Sequence, residues 1–444
     1  MSLGIRAFWG LPIVLALMPG GTAYGLDPDR RLTQYVHRIW QSQQGLPQAA
    51  IISAIHQDTD GYLWLGTQTG LVRFDGVRFT PFENFYSGAP NVWVRHVIED
   101  SKHAIWIGTN DTGLVRLANG KATRFTFDEN SPSETVQCLI SDHKGDVWAC
   151  TANGLVRFSQ GVQQVYGVAQ GLSNNSVLSA CEDLDGTIWV GGENSHLSVW
   201  NGSRFQTHTL ISIPAESAVR SMACSDGSIW IGTTNGLVEI RNGHEKLFTV
   251  NNGLVDNRVL CLARGRHGTL WIGTQSGFSR MRNGDLESFR PQDGLSQSMV
   301  YSVFEDREGS LWVGTKHGLN QFSDARAFPY TVGEGLPSND TGPVVQDDRG
   351  SIWAGTIGQG LARFDGRRFK AVHEFLASDS VNALSPGENN DLWVGSDTGL
   401  SRLHQGQLQQ TYSTRNGLPS NTIRSIFRDH KGIVWVGTSA GVAE

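Results

Sequence analysis

The chain has 444 residues, of which 18% are charged and 53 are glycine, with a formal net charge of −6. This balance excludes a helical bundle or a disordered chain and fits an all-β protein rich in tight turns. With no lysine-arginine run and a net negative charge, nucleic acid and acidic membrane surfaces are poor partners. A chain of this length holds about two to four ordinary domains, and two if the domains are large.

The N-terminus reads as a secretory signal peptide over residues 1–25. Arg6 gives the positive start, Phe8 to Met18 an apolar stretch, and Ala23-Tyr24-Gly25 a small-x-small cleavage site. The apolar core is short for a span of about twenty residues. The mature chain is expected to start near Leu26, in the periplasm. Next comes an isolated strand, Tyr35 to Gln41, which runs into Gly45-Leu46-Pro47.

From there one unit recurs ten times. Its tryptophans are Trp64, Trp106, Trp148, Trp189, Trp230, Trp271, Trp312, Trp353, Trp393 and Trp435, spaced 40 to 42 residues apart. That period suits propeller blades or helical repeats. The units carry short β-branched runs broken by glycine, not apolar residues at helical spacing, so they are blades. The stretch 294–330 shows the plan: a Gly294-Leu295 loop, then a strand Val300 to Glu305. The turn Asp306-Arg307-Glu308-Gly309 leads to a strand through Leu311-Trp312-Val313-Gly314-Thr315. A third strand opens at Gly318-Leu319, and Phe328 to Thr331 stands where a fourth falls. Paired residues such as Val300 and Val303, Ile52 and Ile55, or Val94 and Val97 break the alternation of a half-buried strand, as expected where both faces pack. The tryptophans are expected to be inter-blade core. Turns such as Asp58-Thr59-Asp60-Gly61 offer too few oxygens for calcium and are read as structural.

Most repeats join strands three and four by a glycine turn, but the seventh reads Phe322-Ser323-Asp324-Ala325-Arg326-Ala327-Phe328. The N-terminal strand is therefore expected to complete blade seven. This gives a closed seven-bladed β-propeller over 33–325, followed over 326–444 by the first three blades of a second, incomplete one starting with Phe328 to Val332. Three blades cannot close without leaving edges bare, so the reading frame is expected to continue past Glu444. The five cysteines, Cys138, Cys150, Cys181, Cys224 and Cys261, lack CxxC spacing. They are expected to be small core residues, not a disulfide framework or metal site.

The unit of Gly-Leu-Pro, apolar strand, Asp-x-x-Gly, apolar-Trp-apolar-Gly-Thr and Gly-Leu resembles the two-component regulator propeller repeat. The likeness covers nearly all of Tyr35 to Glu444. It is best in Gly45-Leu46-Pro47 to Phe74-Asp75-Gly76 and in Gly417-Leu418-Pro419 to Gly437-Thr438. It implies the periplasmic sensor of a hybrid two-component system or membrane diguanylate cyclase. In those proteins two propellers precede an immunoglobulin-like domain, a transmembrane helix and a cytoplasmic kinase or cyclase, none of which is in this sequence.

Loops before strand one and between strands two and three should share one face, and a ligand is expected there. Candidates are the residues that leave the repeat template: Trp93, Arg95, Asn110, Asp111, Glu193, Asn194, His196, Arg220, Arg258, Tyr301, Lys316 and His317. Their mix of aromatic, amide and charged groups suits a small polar ligand such as an oligosaccharide. No catalytic residue, metal or cofactor is expected. Membrane contact would come only through segments outside this sequence, and a homodimer is one expectation for the full-length protein. The alternatives are a secreted propeller enzyme of glycosidase or lyase type, which needs carboxylates about 5–9.5 Å apart, and a lectin-like scaffold.

Overall fold

The computed structural model describes residues 26–47, 51–82, 92–125, 135–324, 329–366, 368–372 and 378–444. The proposed signal peptide and Phe328 lie outside them. The chain is an all-β propeller protein, and it divides into two compact units, Met1–Asp324 and Ala325–Glu444.

Each tryptophan repeat is an antiparallel sheet whose strands pair in chain order. The first holds Ile52–Gln57, Leu63–Thr67, Gly70–Phe74 and Phe79–Pro81. In the seventh, Val300–Glu305, Leu311–Thr315 and Leu319–Ser323 pair in order, and the fourth strand is Val36–Trp40 from the N-terminus. It runs antiparallel to Leu319–Ser323 with Arg38 opposite Gln321. The innermost strands touch in the cyclic order Ile52–Gln57, Val94–Glu99, Val136–Ser141, Val177–Glu182, Val219–Ser225, Val259–Arg264, Val300–Glu305 and back to the first.

The repeated glycine follows from this packing. A Cβ on Gly66 would lie 2.8 Å from Val94 Cγ1, and one on Gly232 would lie 2.5 Å from Val259 Cγ1. The relation carries across the closure, where a Cβ on Gly314 would meet Ile52 Cγ2 at 2.8 Å. The threonine after it fixes the next loop: Thr67 Oγ1 donates to the Gly70 carbonyl, and Thr233 Oγ1 to that of Gly236, both at 2.8 Å.

The turn aspartate has a local task. Asp142 Oδ1 accepts from the amides of Lys144 and Asp146, and its Oδ2 accepts from Trp148 Nε1 at 2.9 Å. The same indole-to-carboxylate bond forms at Asp58, Asp100, Asp183, Asp306, Asp347 and Asp429. In the sixth repeat Gly265 stands in this turn, and Trp271 Nε1 donates instead to Glu305 Oε2 of the next repeat at 2.9 Å.

Two expectations need correction. Cys138 is joined to Cys150, and Cys181 to Cys224, while Cys261 is free. Cys138 stands directly opposite Cys150 in the strand ladder, and Cys181 and Cys224 lie on adjacent inner strands. Partners separated by 12 and 43 residues are brought together by strand pairing and blade stacking, which local Cys spacing does not reveal. Residues 329–332 form no strand: Val332 opens a single 3-10 turn, Val332–Glu334, and Tyr330 packs edge-on against Phe364 and Phe369. The second unit contains two four-stranded sheets and one three-stranded sheet among the described residues.

Candidate ligand-binding site

The inner strands of the first unit share one irregularity. Ile52 pairs with Thr67 and Ala54 with Gly66, so Ser53 has no residue opposite it. The same extra residue occurs at Arg95, Gln137, Leu178, Arg220, Leu260 and Tyr301. In each case the residue before the bulge faces the motif threonine or its equivalent, and the one after faces the motif glycine or Cys150. A β-bulge re-aims one side chain out of the pleat. All seven bulged residues line a central cavity of about 510 Å³. Two positions after its bulged residue, each strand adds a second lining residue: Ile55, Val97, Leu139, Ala180, Met222, Leu262 and Val303. The cavity thus has a mixed ring of bulged residues backed by an apolar ring.

Arg95 is the most fully held member. Its Nε donates to Asn110 Oδ1 at 2.7 Å and its Nη1 to Gln137 Oε1 at 3.0 Å. Its guanidinium lies 4.5 Å over the Trp93 ring, and Trp93 Nε1 donates to Ser53 Oγ at 3.4 Å. Burial lowers the Arg95 pKa, with Asp111 opposing and Arg220 adding to the shift. Asn110 binds back to the same place, since its amide donates to the Trp93 carbonyl at 2.9 Å and its Nδ2 to Asp111 Oδ1 at 2.7 Å. The insertion at Asn110-Asp111-Thr112 therefore braces the arginine. Arg220 lines the cavity from the fifth repeat and is exposed, and Tyr301 lines it from the seventh. Burial raises the Tyr301 phenol. His96, one residue past the Arg95 bulge, also lines the cavity and has a buried Nδ1 without a partner. Burial, then the neighbouring His56, pushes its imidazole down to about 4.

Trp93, Arg95, Arg220 and Tyr301 thus come together at the cavity, with Asn110 and Asp111 beside them. The other candidates do not join its lining. Glu193 is exposed, and Asn194 Oδ1 accepts from the His196 amide at 3.1 Å. The His196 ring turns toward Thr209 Oγ1, 2.9 Å away on the outermost strand. Arg258, Lys316 and His317 are exposed. Sequence reasoning missed Ser53, Gln137, Leu178 and Leu260, although the spacing of Ile52 and Ile55 marks the bulge that presents Ser53.

A ring of sheets with side chains aimed into a central cavity defines the class, a β-propeller. More particularly, the chain carries two-component regulator propeller repeats, whose signature matches residues 45–69, 171–194, 253–276, 294–317 and 417–440. No curated relative matches the sequence. Among solved structures, it is similar to the extracellular domain of a protein assigned to the hybrid two-component systems of B. thetaiotaomicron. That likeness has 22% identity and a TM-score of 0.58, covering 92% of this chain and 65% of that one. A second such extracellular domain from the same organism is similar at 19% identity and TM-score 0.55, over 93% of this chain and 67% of that one. Catalytically inactive virginiamycin B lyase from Staphylococcus aureus is similar at 14% identity and TM-score 0.55, over 65% of this chain and all of the lyase. At these identities the likenesses show the fold. The chain spans 65% of the length of the first of these structures.

Proposed function

We propose that this chain is the ligand-sensing region of a bacterial transmembrane signal-transduction protein. In this reading it acts in the periplasm, binds a small polar ligand such as an oligosaccharide, and passes the signal to a histidine kinase or diguanylate cyclase outside this sequence. Residues 33–325 act as a closed seven-bladed propeller, and 326–444 supply blades of a second. The observation that carries the reading is the ring of bulged residues. Seven repeats use the same backbone irregularity to present side chains of five types, which is how a repeated scaffold builds a specific pocket. The family repeats and the extracellular domains of similar fold support a sensor that does no chemistry of its own. The two disulfides support an oxidising compartment.

A receptor that must release its ligand when supply falls needs only micromolar affinity, about −8 kcal/mol. A thermal-shift panel of oligosaccharides on the whole chain is the test. Replacing Trp93 and Arg95 together by alanine is expected to abolish a ligand-induced rise in melting temperature while leaving the ligand-free melt nearly unchanged. A double variant that keeps the full rise would place the site elsewhere.

A further inference from the structure

We propose that the ligand presents an anionic group, a carboxylate or a sulfate, to Arg95 and Arg220 in the central cavity of the first unit. This rests on the sensing site proposed above and names the chemistry it selects. Among the described residues that line the cavity, these two arginines carry the charge at neutral pH, and no Asp, Glu or Lys lines it. His96 stays neutral there because its imidazole is pushed down to about 4. The Tyr301 phenol, raised by burial, stays protonated.

The guanidiniums are not consumed by the fold. Arg95 donates to two neutral amide oxygens, those of Asn110 and Gln137, and forms no carboxylate ion pair among the described residues. Asp111 is the carboxylate that acts on it, but it lies outside the lining and accepts from Asn110. Arg220 lies near enough to depress the Arg95 pKa, so two like charges share one cavity. A half-buried cation with a cationic neighbour is costly unless a counter-charge arrives. The planar fork of arginine suits a carboxylate or sulfate in bidentate fashion. Trp93 holds the Arg95 plane by its ring face and the Asn110 and Gln137 oxygens fix its edge, so the donor geometry is set before a ligand enters. A neutral sugar could accept the hydrogen bonds but would bring no counter-charge to the arginine pair.

The test uses matched probes with the whole chain by isothermal titration calorimetry. One pair is trigalacturonate and its methyl-esterified form; another is a sulfated chondroitin disaccharide and its desulfated form; sodium sulfate is the free-ion arm. The charged member of at least one pair is expected to bind at least about tenfold more tightly, and its affinity should fall as salt rises. Arg220→Gln should weaken that binding by about tenfold or more with the melting temperature unchanged, and Arg220→Lys should restore part of it. A preference for one pair, or for sulfate alone, supports the anion site and identifies its source. Equal binding of charged and neutral members overturns the inference but leaves the sensing site standing. Binding by none of the probes also overturns it, and the oligosaccharide panel with the Trp93 and Arg95 double variant then decides separately whether the cavity senses a neutral ligand.

Discussion

A chain beginning at Gln44, exported by a grafted signal, is expected to lose more than about 6 kcal/mol of stability in its first unit. The segment it lacks is built into the core. Leu26, Leu32 and Tyr35 are buried in one cluster with Trp271, Phe278, Phe289 and Phe322. Tyr35 Oη accepts from Arg280 Nη1 at 2.9 Å and donates to the Asp27 carbonyl at 2.7 Å. Arg280 also bonds Glu287 Oε2 and the Arg30 carbonyl, each at 2.6 Å. Further along, Trp40 stacks on Trp312 with ring centroids 5.4 Å apart and meets Phe74 of the first repeat at 5.5 Å. Each large buried side chain removed costs about 2–5 kcal/mol, and Arg280 would lose its Tyr35 and Arg30 partners while keeping Glu287. Against a total stability of about 5–15 kcal/mol, the ring should open or unfold. The measurement is a denaturant melt followed by tryptophan fluorescence. A truncated chain with an unchanged midpoint would show that the strand Val36–Trp40 is an ornament on a ring that closes without it.

Trp148→Ala is expected to cost about 3–5 kcal/mol. Its side chain is 1% exposed and packs with Tyr166 and Trp200 at centroid distances of 5.8 and 6.3 Å. Its loss would also strip Asp142 of a hydrogen bond in a buried turn. Trp435 makes the same bond to Asp429 but is 38% exposed, so Trp435→Ala should cost only about 1 kcal/mol. Chemical denaturation of both variants checks the contrast. Equal losses would mean that the repeated tryptophan acts through its turn hydrogen bond, not through burial.

The blades were legible because one physical demand recurs at one interval. A motif glycine such as Gly66 must admit the inner strand of the next repeat, a threonine such as Thr67 must pin the next loop, and a tryptophan must fill the gap between sheets. The missing glycine turn after Ser323 could be read the same way, from what the sheet lacks. Side-chain direction was harder. Val94 and Val97 break the alternation, and in the sequence burial on both faces is a sufficient reason for it; the register shows an inserted residue. Without the bulge, Gln137 or Leu260 looks like an ordinary strand position. The loop candidates Asn194 and His196 stand outside the cavity lining for a related reason. Departure from a template marks Asn194 and His196, but their bonds stay within the fourth repeat and turn toward its outer strand. The cysteine pairs depend on register and stacking, which spacing within a segment does not encode.

The central claim is that the bulged ring of the first unit receives the ligand. A crystal structure of the chain with trigalacturonate, or with the ligand that the thermal-shift panel returns, tests it most directly. The account predicts ligand density in the central cavity, with polar atoms at hydrogen-bond distance, about 2.7–3.2 Å, from the side chains of Arg95 and Arg220 and against Tyr301. Density on the loop of Glu193, Asn194 and His196, or against residues 326–444, with the cavity unchanged, would contradict it.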